Sequence, residues 1–291
     1  MTTKNIAFVS APATPHFVGD GFRVHNFIPN GDGLSMARMS PFIMLDYNSK
    51  YNFPPSIVPK GVGVHPHRGF ETVTIAYQGK VAHHDSAGGG GIIGEGDVQW
   101  MTAASGVLHK EYHEEEFSKT GGIFQMVQLW VNLPAKDKMS APKYQAITNE
   151  QISKFELPDN AGIIEVIAGE YQNMKGAAST FTPVNLQNAK LNKGGKATFS
   201  FPANYNTALL IIEGNIKVNN TEVATDHFVL FENKGEDFTI EALENAIVLV
   251  LSGEPINEPI FAHGPFVMNT REEIIQAMDD VNLGKFGYLE D

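Results

Sequence analysis

The pattern of this chain is mostly period two, in short β-rich runs: TVTIAYQGKVAHH, GDVQWMTAA, GGIFQMVQLWVNLP, ALLIIEGNIKVNN, HFVLFE and AIVLVLSGE. Each is closed by Gly, Asn or Pro. Alternation at this period is what a strand with one buried face requires, and the punctuation stops the runs from merging into helices. The GEGD and EGN segments suit hairpin turns whose central positions need positive φ. The pattern therefore predicts an all-β fold. One segment departs from it. Thr270 followed by REEIIQAMDDVN reads as a helix with its own cap, Thr270 as N-cap and Glu273 three residues on. Its Ile274, Ile275, Met278 and Val281 are spaced for a single buried face.

At 291 residues, 42% of them hydrophobic, the chain can build one large or two ordinary cores. Only 19% of residues are charged and no long charge run occurs, which argues against wholesale disorder. Aligning the glycines exposes an internal repeat: TIAYQGKVAHHD corresponds to LLIIEGNIKVNN, with Gly79 falling on Gly214. Between the halves, PAKDKMSAP has the Pro, Lys and Ser content of a linker. The expected architecture is two β-barrel (jelly-roll) domains, residues 1–133 and 146–291, joined by a linker at 134–145. The C-terminal helical tail is assigned to the second domain.

Six of the ten histidines lie between positions 65 and 113: His65, His67, His83, His84, His109 and His113. In GVGVHPHRGFET, His65 and His67 are two apart; in SGVLHKEYHEE, so are His109 and Glu111. On a strand that spacing puts both side chains on one face. Two such strands side by side would aim three imidazoles and a carboxylate at one point, a donor set for a divalent transition metal. His83, His84 and His113 read as supporting or surface groups. Pro66 cannot donate to a ladder, so its strand should lie at an edge or be bulged. Transferring the pairs through the repeat lands His65 on Ser200 and His67 on Pro202. A slightly smaller offset puts Phe238 and Ile240 where His109 and Glu111 stand, so the second barrel is expected to lack metal. Candidate pocket walls are Phe70, Trp100, Phe124, Met126 and Trp130. The GGGG run at 88–91 lacks the GKS or GKT ending of a phosphate cradle and reads as a mobile loop.

Composition removes several function classes. The formal charge is −12 and no basic stripe is present, so direct nucleic-acid binding is not expected, whereas a basic protein partner is compatible. With no cysteine there is no disulfide, thiolate ligand or cysteine nucleophile. The first thirty residues do not have the pattern of a signal peptide, and no apolar run is long enough to span a membrane. A cytoplasmic protein is the expectation.

The histidine segments also carry a family resemblance. Gly61 to Gly79 resembles the first cupin motif and Gly96 to His109 the second. HPHRGFETV, GDVQWMTA, GVLHKE, QLWVNLP and HGPFVMNT resemble the pirin family, whose bacterial members include quercetin 2,3-dioxygenase-like proteins; the match runs from about Phe17 to the C-terminus. Ala104 stands where a cupin usually has proline. Glu71 occupies a position that ligates metal in many cupins, but pirins use the HxE glutamate instead. The resemblance thus implies a bicupin with one divalent metal on His65, His67, His109 and Glu111. It implies non-haem Fe(II), although the donors also admit Mn, Ni, Cu and Zn. The implied activity is oxygenation of a flavonol-like phenol with O2, with Glu111 also accepting the phenolic proton. The alternative is a metal-binding regulatory protein acting on a protein partner. A cupin isomerase or decarboxylase, with Arg68 as its basic group, ranks third.

Overall fold

The computed structural model describes residues 2–30 and 33–290. Strands dominate, as the alternation predicts, and the chain forms two compact units. Among the described residues no helix is long and apolar enough to cross a membrane.

The histidine-bearing unit contains two antiparallel sheets. The larger runs in the order Lys143–Ile147, Val98–Thr102, Phe70–Gln78, Gly122–Asn132, Phe42–Phe53, Phe22–Ile28 and His16–Val18; the smaller in the order Gly61–His67, Val107–His113, Val81–Asp85 and Gly90–Ile93. The second unit repeats this plan strand for strand. Its large sheet is Ile6–Ser10, Phe228–Phe231, Asn206–Glu213, Ala246–Gly253, Val184–Leu191, Gly162–Ala168 and Ser153–Glu156; its small one is Lys196–Ser200, Asp237–Ala242, Ile216–Val218 and Thr221–Val223. Gly79 and Gly214 take the same place in the two units, each at positive φ where the chain leaves the large sheet for the small one.

The unit boundaries differ from the expected cut between 133 and 146. One unit comprises Met1–Ala13 and Glu150–Pro255, the other Thr14–Asn149 and Ile256–Asp291. The edge strands explain the difference. Ile6–Ser10 pairs with Phe228–Phe231, and Lys143–Ile147 pairs with Val98–Thr102, so each satisfies an open sheet edge. Composition does not report such pairings. Residues 134–145 are likewise no free linker. Lys138 is buried, and its ammonium donates to Gly69 O, Asn132 Oδ1 and Val267 O at 2.6, 2.6 and 2.9 Å. The glycine run is also more ordered than expected: Gly90 and Gly91 lie in a strand, and Gly89 N donates to Asp85 Oδ1 at 2.8 Å.

In the second unit, phenylalanines replace the polar cluster. Phe199 pairs with Phe238 just as His65 pairs with His109, so register makes Phe199, not Ser200, the counterpart of His65. The Phe199 and Phe231 rings lie 5.3 and 4.4 Å from that of Phe238. This interior is packed with apolar rings, and among the described residues no group of metal donors lies in it.

The C-terminal helix, Arg271–Asn282, has the expected capping box between Thr270 and Glu273. Its buried face is different. Ile274 and Ala277 are buried together with Asp280, while Ile275 and Met278 are 50% and 43% exposed. Arg68 draws Asp280 inward through a 2.8 Å ion pair, and that turns the helix away from its most apolar stripe.

Candidate metal centre and cavity

The strand Gly61–His67 lies at a sheet edge, as Pro66 requires, and pairs with Val107–His113 so that His65 stands opposite His109. The ladder shifts between His109 and Glu111. Three imidazoles converge here. The ring centroids of His65, His67 and His109 are 4.8, 4.2 and 4.5 Å apart, and one nitrogen from each lies within 4.8 Å of the others. Their hydrogen bonds decide which nitrogens are free. A carbonyl only accepts, so His65 Nδ1 donates to Gly63 O at 2.8 Å and His67 Nδ1 to Pro265 O at 3.3 Å. That leaves Nε2 of both rings as acceptors. His109 Nε2 is buried with no hydrogen-bond partner. Burial, and then the neighbouring imidazoles, push His67 down to about 3 and His109 well below its ordinary value. With His67 and His109 held neutral and a free nitrogen on each of the three rings, this cluster fits the transition-metal ion implied by the sequence.

Glu111 joins a second group, with His83 and His109, whose donor atoms also lie within 4.8 Å of one another. Its carboxylate is held from both sides: Gln128 Nε2 donates to Oε2 at 2.6 Å, and Gln99 Nε2 and Thr74 Oγ1 donate to Oε1 at 3.1 and 3.3 Å. Burial alone would raise this carboxyl. His83 and the Gln128 bond outweigh it and bring the group to about 2. His83 is fully buried, 3.7 Å from Asp85 and 3.8 Å from Glu111. Those carboxylates overcome the effect of its burial and raise its pKa. The structure thus brings His65, His67 and His109 together, and places Glu111 with His83 in a second donor group that shares His109.

A cavity of about 440 Å³ opens beside these residues, lined by His65, His67 and Glu111 together with Val18, Phe22, Val24, Met44, Asp46, Asn48, Val62, Met126, Gln128, Trp130, Gly264 and Pro265. Of the expected walls only Met126 and Trp130 belong to it. Phe70 stacks behind Trp130 at 4.2 Å, and Trp100 and Phe124 are core. Gln128, Asn48 and Asp46 were not anticipated. Gln128 lies midway between Met126 and Trp130, so period two by itself puts it on their face. Pro265 lies in HGPFVMNT, a segment that carried the family resemblance but no sign of a place beside the histidines.

The other candidates have plainer roles. His84 stacks on Tyr112 at the surface. His113 is packed among Phe22, Phe53, Phe117 and Phe124, and its Nε2 donates to Gly21 O at 2.8 Å. Glu71 is buried and accepts from Thr102 Oγ1 at 2.7 Å, away from the cavity lining. Arg68 is tied to Asp280 and also lies outside that lining.

Comparison with known proteins agrees with this architecture. The Pirin family model matches residues 21–131, and the Pirin C-terminal cupin domain model matches residues 186–287. A Pseudomonas aeruginosa protein named "Putative quercetin 2,3-dioxygenase PA2418" is 47% identical over 284 residues, 97% of this chain and 98% of its own length. A "Pirin-like protein" of Solanum lycopersicum is 36% identical over 93% of this chain and 89% of its own. The crystal structure of quercetin 2,3-dioxygenase from Acinetobacter baumannii superposes with a TM-score of 0.92 at 49% identity, covering 99% of both chains. A bacterial pirin from Escherichia coli, in complex with nickel(II), shares the fold at 16% identity, with a TM-score of 0.64 over 85% of this chain and 100% of that one. Both units are cupin domains.

Proposed function

The chain belongs to the pirin family, and from that membership we propose that it is a metal-dependent dioxygenase of flavonol-like phenols, with Fe(II) held by His65, His67, His109 and Glu111. The observation that carries this reading is the convergence of three imidazoles, their Nε2 atoms free, at one side of a largely apolar cavity. A redox-active divalent ion bound there supplies acidification of a phenolic hydroxyl and a path for electrons to dioxygen. The protein's own residues do the rest. Carbonyls of Gly63 and Pro265 fix the tautomers of His65 and His67. Phe22, Val24, Met44 and Met126 line the cavity with apolar surface that favours a flat aromatic guest and disfavours water.

Glu111 is ionised at neutral pH, and this suits a ligand. Its role as acceptor of the phenolic proton requires a substrate to take the Gln128 amide away from Oε2, removing one of the bonds that hold the carboxyl down. No lysine or arginine lines the cavity among the described residues, and the tie between Arg68 and Asp280 takes away the basic group an isomerase reading needs. The test is oxygen consumption by iron-loaded protein with quercetin, followed together with the loss of quercetin absorbance. The two should fall in step. Protein with iron bound that consumes no oxygen would defeat the proposal and favour a regulatory role toward a protein partner.

A further inference from the structure

The strands Phe42–Phe53 and Gly122–Asn132 meet in three cross-strand rows on the cavity wall: Asn48 opposite Met126, Asp46 opposite Gln128, and Met44 opposite Trp130. In the middle row Asp46 Oδ1 accepts from Asn26 at 2.8 Å, and Gln128 Nε2 donates to Glu111. The Trp130 row lies against the metal cluster, 5.2 Å from the His67 ring. Asn48 is two rows away, about 14 Å along the strand at roughly 3.4 Å per residue. It is 1% exposed, and neither Oδ1 nor Nδ2 has a hydrogen-bond partner among the described residues. A buried amide with both ends unpaired is costly unless something entering the cavity completes it.

The donor and acceptor pattern narrows what that can be. Oδ1 needs a hydrogen and Nδ2 needs a lone pair. A carboxylate would satisfy Nδ2 alone and bring charge near Asp46; an ammonium would satisfy only Oδ1. A hydroxyl both donates and accepts, and two adjacent hydroxyls can meet both atoms at once. The surrounding Met126, Phe22 and Val24 favour a flat apolar ring as the carrier. We propose that Asn48 is a specificity-determining residue whose amide recognises a ring hydroxyl, best a vicinal pair, on the part of a phenolic ligand remote from the metal cluster. The inference rests on the reading of the cavity as a phenol site and adds its selectivity.

Quercetin, which carries a vicinal pair on its pendant ring, and galangin, which has the same skeleton without hydroxyls there, provide the test. Their dissociation constants are read by quenching of protein fluorescence at matched metal content. Wild type should bind quercetin about tenfold more tightly than galangin, because an unmet buried pair is a substantial penalty. Asn48→Leu should bind the two equally, with unchanged metal content and an undiminished melting temperature, since it removes unpaired polar atoms at similar volume. Asn48→Thr retains one hydroxyl and should keep part of the preference, which guards against a folding defect in the first variant. A preference that survives Asn48→Leu, or that is absent from wild type, overturns the proposal. Oxygen uptake separates the two readings. An Asn48-dependent preference without uptake defeats only the dioxygenase, and uptake with an Asn48-independent preference defeats only the selectivity.

Discussion

Arg68 Nη1 and Asp280 Oδ2 lie 2.8 Å apart although 212 residues separate them in sequence. The guanidinium also donates to Ser105 O at 2.7 Å and sits 4.6 Å from the centre of the Phe286 ring. Arg68 directly follows His67, the proposed ligand, and its backbone bonds to Pro265 O and from Val267 N at 3.3 and 3.0 Å. The C-terminal segment therefore holds the strand that carries His65 and His67 in place.

The first prediction follows from that clasp. Phe286 is 3% exposed, and Phe286→Ala should destabilise the protein by about 3 kcal/mol and weaken metal binding at the same time. Removing residues from Thr270 onward should do more of both. Thermal melts in chelator, with metal titrations alongside, check this; a truncated chain with the wild-type melting temperature and affinity would show the segment to be dispensable.

Metal stoichiometry is the second. One equivalent per chain is expected, because phenylalanines occupy the matching positions of the second barrel. His65→Ala, His67→Ala, His109→Ala and Glu111→Ala should each cost more than the roughly 10–100-fold typical of losing an outer partner, a range in which Gln128→Leu should fall. Elemental analysis giving two equivalents, or full occupancy after two ligands are removed, contradicts the assignment.

Glu111→Gln addresses the proton. The amide oxygen still coordinates weakly but accepts no phenolic proton, so turnover should drop by on the order of 10²–10⁴-fold, more than metal affinity does. Oxygen uptake with quercetin at matched iron content decides it. Comparable rates in variant and wild type would take Glu111 out of proton transfer.

Glu71 predicts a pH dependence of stability. Burial pushes its carboxyl up to about 7 from an ordinary 4.5, against the opposing bond from Thr102. Between those values the folded state holds the proton and the unfolded state releases it. The contribution is thus complete below pH 4.5 and is lost as pH rises through 7, worth roughly 3 kcal/mol. Glu71→Gln should gain on wild type steadily from pH 5 to pH 8 in chelator-treated melts. Parallel curves would mean that Glu71 is not held protonated.

Features set by the local backbone were legible in the sequence alone. Period two marked the strands, Thr270 and Glu273 marked the helix start, and the two-residue spacings of His65 with His67 and of His109 with Glu111 put each pair on one face. The Gly79 and Gly214 turns exposed the duplication, and the repeat put Phe238 at the position that register matches to His109. What remained depended on which distant segments meet. Only the folded sheets show Ile6–Ser10 and Lys143–Ile147 closing their edges, or Phe199 rather than Ser200 opposite Phe238. Lys138 reads as solvated until Gly69, Asn132 and Val267 surround its ammonium, and Ile275 outranks Asp280 as a core residue until Arg68 is there to pair with it. The difference is physical. Side-chain alternation is a property of consecutive residues, whereas the register between strands and the partner of a buried polar group are settled by contacts between residues far apart in the chain.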